Sequence, residues 1–151
     1  MEHALHLLRR SLAGFCLLAL ATGCSAVLVA PYDETTDRLV TDLSVKTETA
    51  VVQADADQLS AADRAKFFDE AIGTVRSMKA RASLFLKNQD EVAALTQLEQ
   101  RYRDLRQHNA SPRSSLTTGL RATLLDVQQI EIAKKRSSVF SAGLKKTGAA
   151  P

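Results

Sequence analysis

The sequence contains no tryptophan and few other aromatic residues, with five Phe and two Tyr among 151 residues. Its core must therefore be built mainly from Leu, Val, Ile and Ala, a mixture that suits packed helices better than a β-sandwich. Proline is also scarce, and Pro31, Pro112 and Pro151 all lie outside the segments with helical periodicity. The hydrophobic and charged fractions, 45% and 25%, are those of one globular domain and not of a disordered chain.

Histidine and cysteine are too few beyond residue 23 to build a transition-metal site. His108 is the only histidine and Cys24 the only cysteine from there onward, whereas zinc and copper sites need three or four imidazole or thiolate ligands. The acidic residues fit no EF-hand loop, and the six glycines form no phosphate-binding loop. We therefore predict no metal, no other cofactor and no small-molecule substrate.

A catalytic triad could involve only His108. This histidine would have to meet Asp104 and a serine such as Ser111 or Ser114. Asp104 and His108 are four residues apart, however, which is the spacing of a solvent-exposed pair on a helix, and a histidine at a helix end commonly caps its carbonyl groups. We therefore predict that the protein is not an enzyme, and a hydrolase is the least favoured class.

The first 23 residues have the pattern of a cleaved signal peptide. A short segment ending in Arg9 and Arg10 precedes eleven uncharged residues, 11–21. Eleven residues are too few to span a bilayer, which needs about 20. Because positive charges stay on the cytoplasmic side, the chain beyond Pro31 is expected across the inner membrane.

The junction Leu20-Ala21-Thr22-Gly23-Cys24 resembles the lipobox of bacterial lipoproteins, with Ala21 where Leu is usual. The resemblance implies that Cys24 carries lipid as the mature N-terminus, with residues 24–32 as a tether. Two alternatives stay open. Residues 11–30 are 20 uncharged residues and could form an uncleaved signal anchor, and Ala19-Leu20-Ala21 could be a site for the ordinary signal peptidase.

Helical periodicity and capping residues predict an all-α fold, an antiparallel bundle of about four helices over residues 33–136. Asp33 is expected to cap the first helix, Ser60 with Asp63 the second, and Asn88 with Glu91 the third. The third helix should end near His108, and the fourth should begin with Ser111 as its cap and Pro112 in its first position. We expect residues 137–151 to be a flexible basic tail.

Apolar residues at steps of three and four define one buried face for each predicted helix. The stripes are Leu39, Leu43, Ala50 and Val51; then Phe68, Ile72, Val75, Met78, Ala82 and Phe85; then Val92, Leu95, Leu98, Tyr102 and Leu105; and finally Leu116, Leu120, Leu124, Val127, Ile130 and Ala133.

Charge is distributed unevenly along the predicted mature chain. Residues 24–70 contain ten acidic and four basic residues, whereas residues 71–151 contain six acidic and fourteen basic ones. We favour the interpretation that the two halves pair inside the bundle. The alternative is a basic face that binds lipid phosphates, a cell-wall polymer or an acidic envelope protein, and its candidate residues are Arg101, Arg103, Arg106, Lys134, Lys135 and Arg136. Nucleic acid is not an expected partner because no aromatic residues alternate with the basic ones.

The stretch PYDETTDRLVTDLSVKTETA, residues 31–50, follows the lipobox cysteine closely. It is similar to the mature start of small uncharacterised lipoproteins of Gram-negative bacteria, in which a Tyr-Asp-x-x-Thr-Asp motif opens a helical domain. The resemblance covers residues 20–50 best. It implies a location and a fold but no reaction, and Ser25 after the cysteine implies sorting to the outer membrane.

These observations together predict an envelope lipoprotein. The expected function is that of a membrane-tethered helical interaction or structural module, anchored through lipid on Cys24 and facing the periplasm. The alternative is an envelope-stress or lysis accessory protein held by an uncleaved signal anchor. On the periplasmic side, the expected partner is an envelope protein or a cell-wall polymer.

Overall fold

The computed structural model describes residues 30–147, and it describes side chains as far as residue 139. The predicted signal peptide, the lipidation of Cys24 and the first part of the tether lie outside the described residues. Within them the chain forms four helices and no strand: α1 (Glu34–Asp55), α2 (Ala61–Ala82), α3 (Gln89–Gln107) and α4 (Ser114–Thr147).

The helices form a closed ring in which each one contacts two others. α1 packs against α2 and α4, and α3 packs against the same two helices. The antiparallel all-α bundle predicted from the sequence is therefore confirmed. We call the end at which α1 and α3 begin and α2 finishes the leading end, and the other end, where α4 begins, the opposite end.

Two of the predicted helix caps are confirmed. The Asp33 side chain accepts a hydrogen bond from the Thr35 backbone N–H at 3.1 Å. The Ser60 side chain accepts one from the Asp63 backbone N–H at 3.1 Å and donates one to the Asp63 carboxylate at 2.6 Å. Acidic side chains in both first turns also suit the positive end of the helix dipole.

The predicted capping box of Asn88 with Glu91 is wrong. Asn88 precedes α3, but its side chain caps no N–H there. It is buried and donates instead to the Ala82 carbonyl oxygen at 3.1 Å, which also accepts a hydrogen bond from the Phe85 backbone N–H at 3.2 Å at the end of α2. Glu91 points into the bundle rather than back toward Asn88.

The predicted start of α4 is also corrected. The helix begins at Ser114 rather than at Pro112, and its cap comes from a different helix. Asp55, at the end of α1, accepts hydrogen bonds from the Ser114 backbone N–H at 3.1 Å and from the Ser114 hydroxyl at 2.6 Å. These bonds hold the pKa of Asp55 below its usual value. Because the capping residue is so distant in sequence, no local sequence pattern predicts this cap.

The end of α4 is a further correction. The prediction ended the bundle at Arg136, whereas the helix continues to Thr147. No proline interrupts this stretch before Pro151, and the single Gly143 does not end the helix. The flexibility of residues 137–151 stays a prediction.

The core consists mainly of the predicted apolar residues. Val40, Leu43, Phe68, Ala71, Val75, Met78, Ala82, Leu95, Leu98, Tyr102, Leu120, Leu124 and Val127 form one buried cluster. Leu116, which the prediction placed on the buried face of α4, is instead 55% exposed. Inside this core, the Tyr102 hydroxyl lies 2.6 Å from Thr47 Oγ1, and Thr47 Oγ1 donates to the Leu43 carbonyl at 2.7 Å. Because the Thr47 proton goes to Leu43, the Tyr102 hydroxyl is the donor to Thr47, and both buried hydroxyl groups are hydrogen-bonded.

We predict that Thr47→Val destabilises the bundle more than Tyr102→Phe does. Thr47→Val strands the buried Tyr102 hydroxyl, which costs about 1–3 kcal/mol, whereas Tyr102→Phe removes one hydrogen bond worth about 1 kcal/mol. The double variant should cost less than the sum because no polar group is then stranded. Urea unfolding measures all three, and additive effects would show that the two hydroxyl groups do not interact.

Candidate functional site

Asp33 joins the beginning of α1 to the end of α2. Besides capping α1, its carboxylate accepts a hydrogen bond from the Thr36 hydroxyl at 2.9 Å. Arg81 binds both carboxylate oxygens, with its Nε 2.9 Å from Oδ2 and an Nη 3.0 Å from Oδ1. This bidentate ion pair is the main reason that the pKa of Asp33 lies below its usual value.

The next acidic residue of the motif joins α1 to α4. The Tyr32 hydroxyl donates to Asp37 Oδ2 at 2.6 Å. Lys135 Nζ lies 3.6 Å from the same carboxylate and 5.3 Å from the centre of the Tyr32 ring, which combines an ion pair with a cation–π contact. The hydrogen bond to Asp37 is the largest cause of the raised pKa of Tyr32.

All four fixed positions of the Tyr-Asp-x-x-Thr-Asp motif therefore make contacts in the structure. Asp33 and Thr36 form one hydrogen-bonded group, and Tyr32 and Asp37 form another. Through Arg81 and Lys135, these groups attach the start of α1 to both of its neighbouring helices. The motif thus fixes the point at which the N-terminal segment enters the bundle.

Three charged side chains are buried together inside the bundle. Lys134 of α4 is 3% exposed, and it contacts Glu91 of α3 and Glu131 of its own helix, which are 1% and 0% exposed. Lys134 Nζ donates to Glu131 Oε1 at 2.8 Å. The second carboxylate oxygen of Glu131, Oε2, is buried without a hydrogen-bond partner. We call Glu91, Glu131 and Lys134 the buried triad.

The buried triad cannot be electrically neutral when both of its glutamates are ionised, since one lysine compensates only one carboxylate. Burial therefore raises the pKa of Glu131 to about 7; hydrogen bonding to Lys134 opposes this rise, and the charge of Glu91 adds to it. Near neutral pH, Glu131 is the group that takes up a proton to balance the charge.

Glu99, another carboxylate on α3, is surrounded by basic side chains and not by a second carboxylate. It is nearly buried, but Arg76, Lys79 and Arg103 all contact it, Arg76 Nε at 2.8 Å and an Arg103 Nη at 2.6 Å. Burial acts to raise the pKa of Glu99, yet the hydrogen bonds from Lys79 and Arg76 outweigh burial and lower it to about 2. Glu99 is therefore ionised at every physiological pH.

The six residues predicted as a basic face do not lie on one surface. Lys134 is buried, so its place in that face is wrong. Arg103, Arg106 and Lys135 each contact an acidic residue. Arg101 and Arg136 are exposed and have no ion-pair partner among the described residues.

Arg101 and Arg136 are also far apart. The Arg101 guanidinium packs against Gly119 so closely that a β-carbon there would lie 2.6 Å from its Nη1. The 17 residues from Gly119 to Arg136 correspond to about 25 Å along α4. These two arginines therefore cannot bind one small anionic group together.

Ion pairs instead link the acidic half of the chain to the basic half. Five such pairs occur among the described residues: Asp33–Arg81, Asp37–Lys135, Glu48–Arg121, Asp57–Arg113 and Asp69–Arg106. The arrangement agrees with pairing inside the bundle, the favoured interpretation of the charge distribution. Four of these five pairs involve exposed side chains, so each contributes only a fraction of a kcal/mol.

The residues considered for a catalytic triad are not joined to one another. His108 follows α3, and its Nδ1 lies 2.7 Å from the Asp104 backbone carbonyl, not from the Asp104 carboxylate. That carboxylate accepts a hydrogen bond from Gln100, and the Ser114 hydroxyl donates to Asp55. His108 therefore caps α3, as the sequence predicts.

Glu91 and Glu131 are the functional candidates that sequence reasoning missed. Each continues an apolar stripe: Glu91 precedes Leu95 and Leu98 by steps of four and three, and Glu131 follows Val127 by four. Lys134 then lies three residues beyond Glu131. Oppositely charged residues at successive core positions are the pattern that could reveal the buried triad. Selection of the buried face by apolarity alone assigns Ile130 and Ala133 to it instead.

In comparisons with known proteins, no family model, no curated protein and no solved structure matches this chain. Over residues 30–147, no helix is both long and apolar enough to cross a bilayer. The same part of the chain holds no group of three or more His, Cys, Asp or Glu side chains placed to bind a metal ion.

We predict that Glu131→Gln flattens the dependence of stability on pH. Between about pH 4.5 and 7 the folded protein keeps a proton on Glu131 that the unfolded chain releases. The free energy of unfolding therefore decreases as the pH rises through this window, by at most about 3 kcal/mol, and Glu131→Gln should remove that decrease. Urea unfolding from pH 5 to pH 8 measures it.

Glu99→Gln is the matched control. The pKa of Glu99 is lowered to about 2, so its stabilising effect is present above the usual pKa and lost only as the pH falls toward 2. The variant should lower stability at neutral pH and leave the slope between pH 5 and 8 unchanged. An unaltered slope in Glu131→Gln would contradict the charge balance of the buried triad.

Proposed function

We propose that the protein is a lipoprotein of a Gram-negative cell envelope, attached to the outer membrane through lipid on Cys24, and that it acts as a helical interaction or structural module. The proposal rests first on the sequence, in which a signal-like segment and a lipobox precede the Tyr-Asp-x-x-Thr-Asp motif. The same resemblance supports membership of the small uncharacterised lipoproteins. Catalysis forms no part of the proposed function.

The observation that carries the proposal is the firm attachment of the chain at the end of the predicted tether. Ala30 is 5% exposed, Tyr32 is held by Asp37, and Asp33 is held by Arg81. Ala30 follows Cys24 by only six positions, so an anchor at Cys24 would hold the bundle within about 20 Å of the membrane. A short tether with a fixed junction suits a module that works close to the bilayer.

An exposed apolar stripe on α4 supports the interaction role. Leu125, Ile132 and Val139 recur every seven residues and are 52%, 46% and 68% exposed. Seven residues are nearly two helical turns, so the three side chains share one face of the helix. Exposed apolar residues repeated along one helix face suit a contact with another protein, which favours an envelope protein as partner.

We predict that Cys24→Ala abolishes membrane attachment through lipid, while Cys16→Ala changes nothing. Cys16 lies in the segment that the signal peptidase would remove, so it is a matched control. Several acyl chains hold a protein far more firmly than one, which binds only marginally. Intact mass spectrometry of the protein from each membrane fraction should show a lipidated chain beginning at Cys24 in the wild type and in Cys16→Ala only.

Two results would contradict this prediction in different ways. A full-length chain that stays in the membrane despite Cys24→Ala would indicate the uncleaved signal anchor. An unmodified chain that begins at Thr22 and is released from the membrane would indicate the ordinary signal peptidase.

A further inference from the structure

Two leucines are almost completely exposed in the connection between α2 and α3. Leu84 is 81% exposed and Leu86 is 90% exposed, the two highest values among the exposed large hydrophobic residues with described side chains. An exposed leucine side chain loses the free energy that its burial would provide, about 1.5–3 kcal/mol. Two such leucines in one short loop indicate that they are covered by an apolar surface outside the described chain.

This loop lies at the leading end of the bundle, beside the start of α1. The Asp33–Arg81 ion pair holds the last turn of α2 to the cap of α1. Asn88 closes the loop from its other side by its hydrogen bond to the Ala82 carbonyl. The position of the two leucines relative to the N-terminal segment is therefore fixed by hydrogen bonds.

The length of chain before the described residues decides what can cover the loop. Six residues lead from Cys24 to the buried Ala30, and even fully extended they reach only about 20 Å. The opposite end lies farther away by the length of α1, whose 22 residues span about 33 Å. A lipid anchor at Cys24 would therefore place the leading end on the bilayer side, together with the loop and the last turns of α4, which continue from Lys135 to Thr147.

We propose that Leu84 and Leu86 insert into the lipid surface that holds the anchor, so that the bundle contacts the bilayer with its leading end. The inference rests on the proposed attachment through Cys24. Apolar side chains at such an interface lie about 5–10 Å deep, at the boundary of headgroups and acyl chains. The Asp33–Arg81 ion pair adjoins one end of the loop, and the first turn of α3, which carries Glu91, adjoins the other.

The test uses the full lipidated chain reconstituted in phosphatidylethanolamine–phosphatidylglycerol vesicles. If Cys24 is lipidated and Cys16 removed, Leu86→Cys introduces the only free thiol, and an environment-sensitive fluorophore can be attached there. Gln107→Cys, exposed near the opposite end, is the matched control. Leu84→Cys is a second test position, and none of the three substitutions touches the core.

We expect a blue shift of the emission at positions 84 and 86, with quenching by lipids that carry a quencher on their acyl chains. Neither effect should occur at position 107. If the protein stays on the vesicles but positions 84, 86 and 107 behave alike, the inference is wrong and the proposed function is unaffected. A blue shift without lipid quenching would assign the loop to a contact with a second copy and would also overturn it. Failure of the protein to associate with vesicles at all would overturn both.

Discussion

The leading end of the bundle depends on one buried charge, the ammonium group of Lys134. A lysine that is 3% exposed must be compensated, because an unpaired charge in the interior costs several kcal/mol. Glu91 and Glu131 supply that compensation from two helices, and they exceed it by one negative charge. The arrangement therefore sets the positions of α3 and α4 relative to each other and leaves Glu131 responsive to pH near neutrality.

Two adjacent lysines fix the rotation of α4 about its axis. Successive helical residues point about 100° apart, and here Lys134 turns inward to Glu91 of α3 while Lys135 turns to Asp37 of α1. If α4 rotated, both contacts would be lost together. The motif at the start of α1 is thereby connected to the core, since Asp37 also holds Tyr32. The helix cap, the surface ion pairs and the buried charges all lie near the point at which the N-terminal segment meets the bundle.

Much of this architecture could be predicted from the sequence because the physical causes are local. Asp33 and Ser60 cap the helices that they precede, and the stripes through Val75, Leu98 and Leu124 are buried as their spacing requires. Interactions between distant residues could not be predicted in the same way. Asn88 resembles an N-terminal cap in sequence, but its side chain donates to the Ala82 carbonyl oxygen at the end of α2, and α4 is capped from Asp55.

The candidate site was predictable only in part. Charged residues are almost always exposed, so the sequence predicts Lys134 on a basic surface and no role for Glu131. Their burial follows from their partners across the bundle, and a single sequence does not reveal those partners. The motif that includes Asp33 and Asp37 was recognised as a helix start, but its connections to Arg81 and Lys135 became visible only in three dimensions.

The buried pair of Glu91 and Lys134 is the central claim of this account, and a double-mutant cycle tests it most directly. Unfolding free energies at neutral pH would be compared for the wild type, Glu91→Gln, Lys134→Met and the double variant. Lys134→Met leaves two buried carboxylates without a cation, at a cost of about 3–5 kcal/mol, whereas Glu91→Gln leaves Lys134 paired with Glu131 and should cost less; the double variant should recover a coupling energy of about 1–3 kcal/mol. Effects that add within about 0.5 kcal/mol would place Lys134 in solvent and contradict the account.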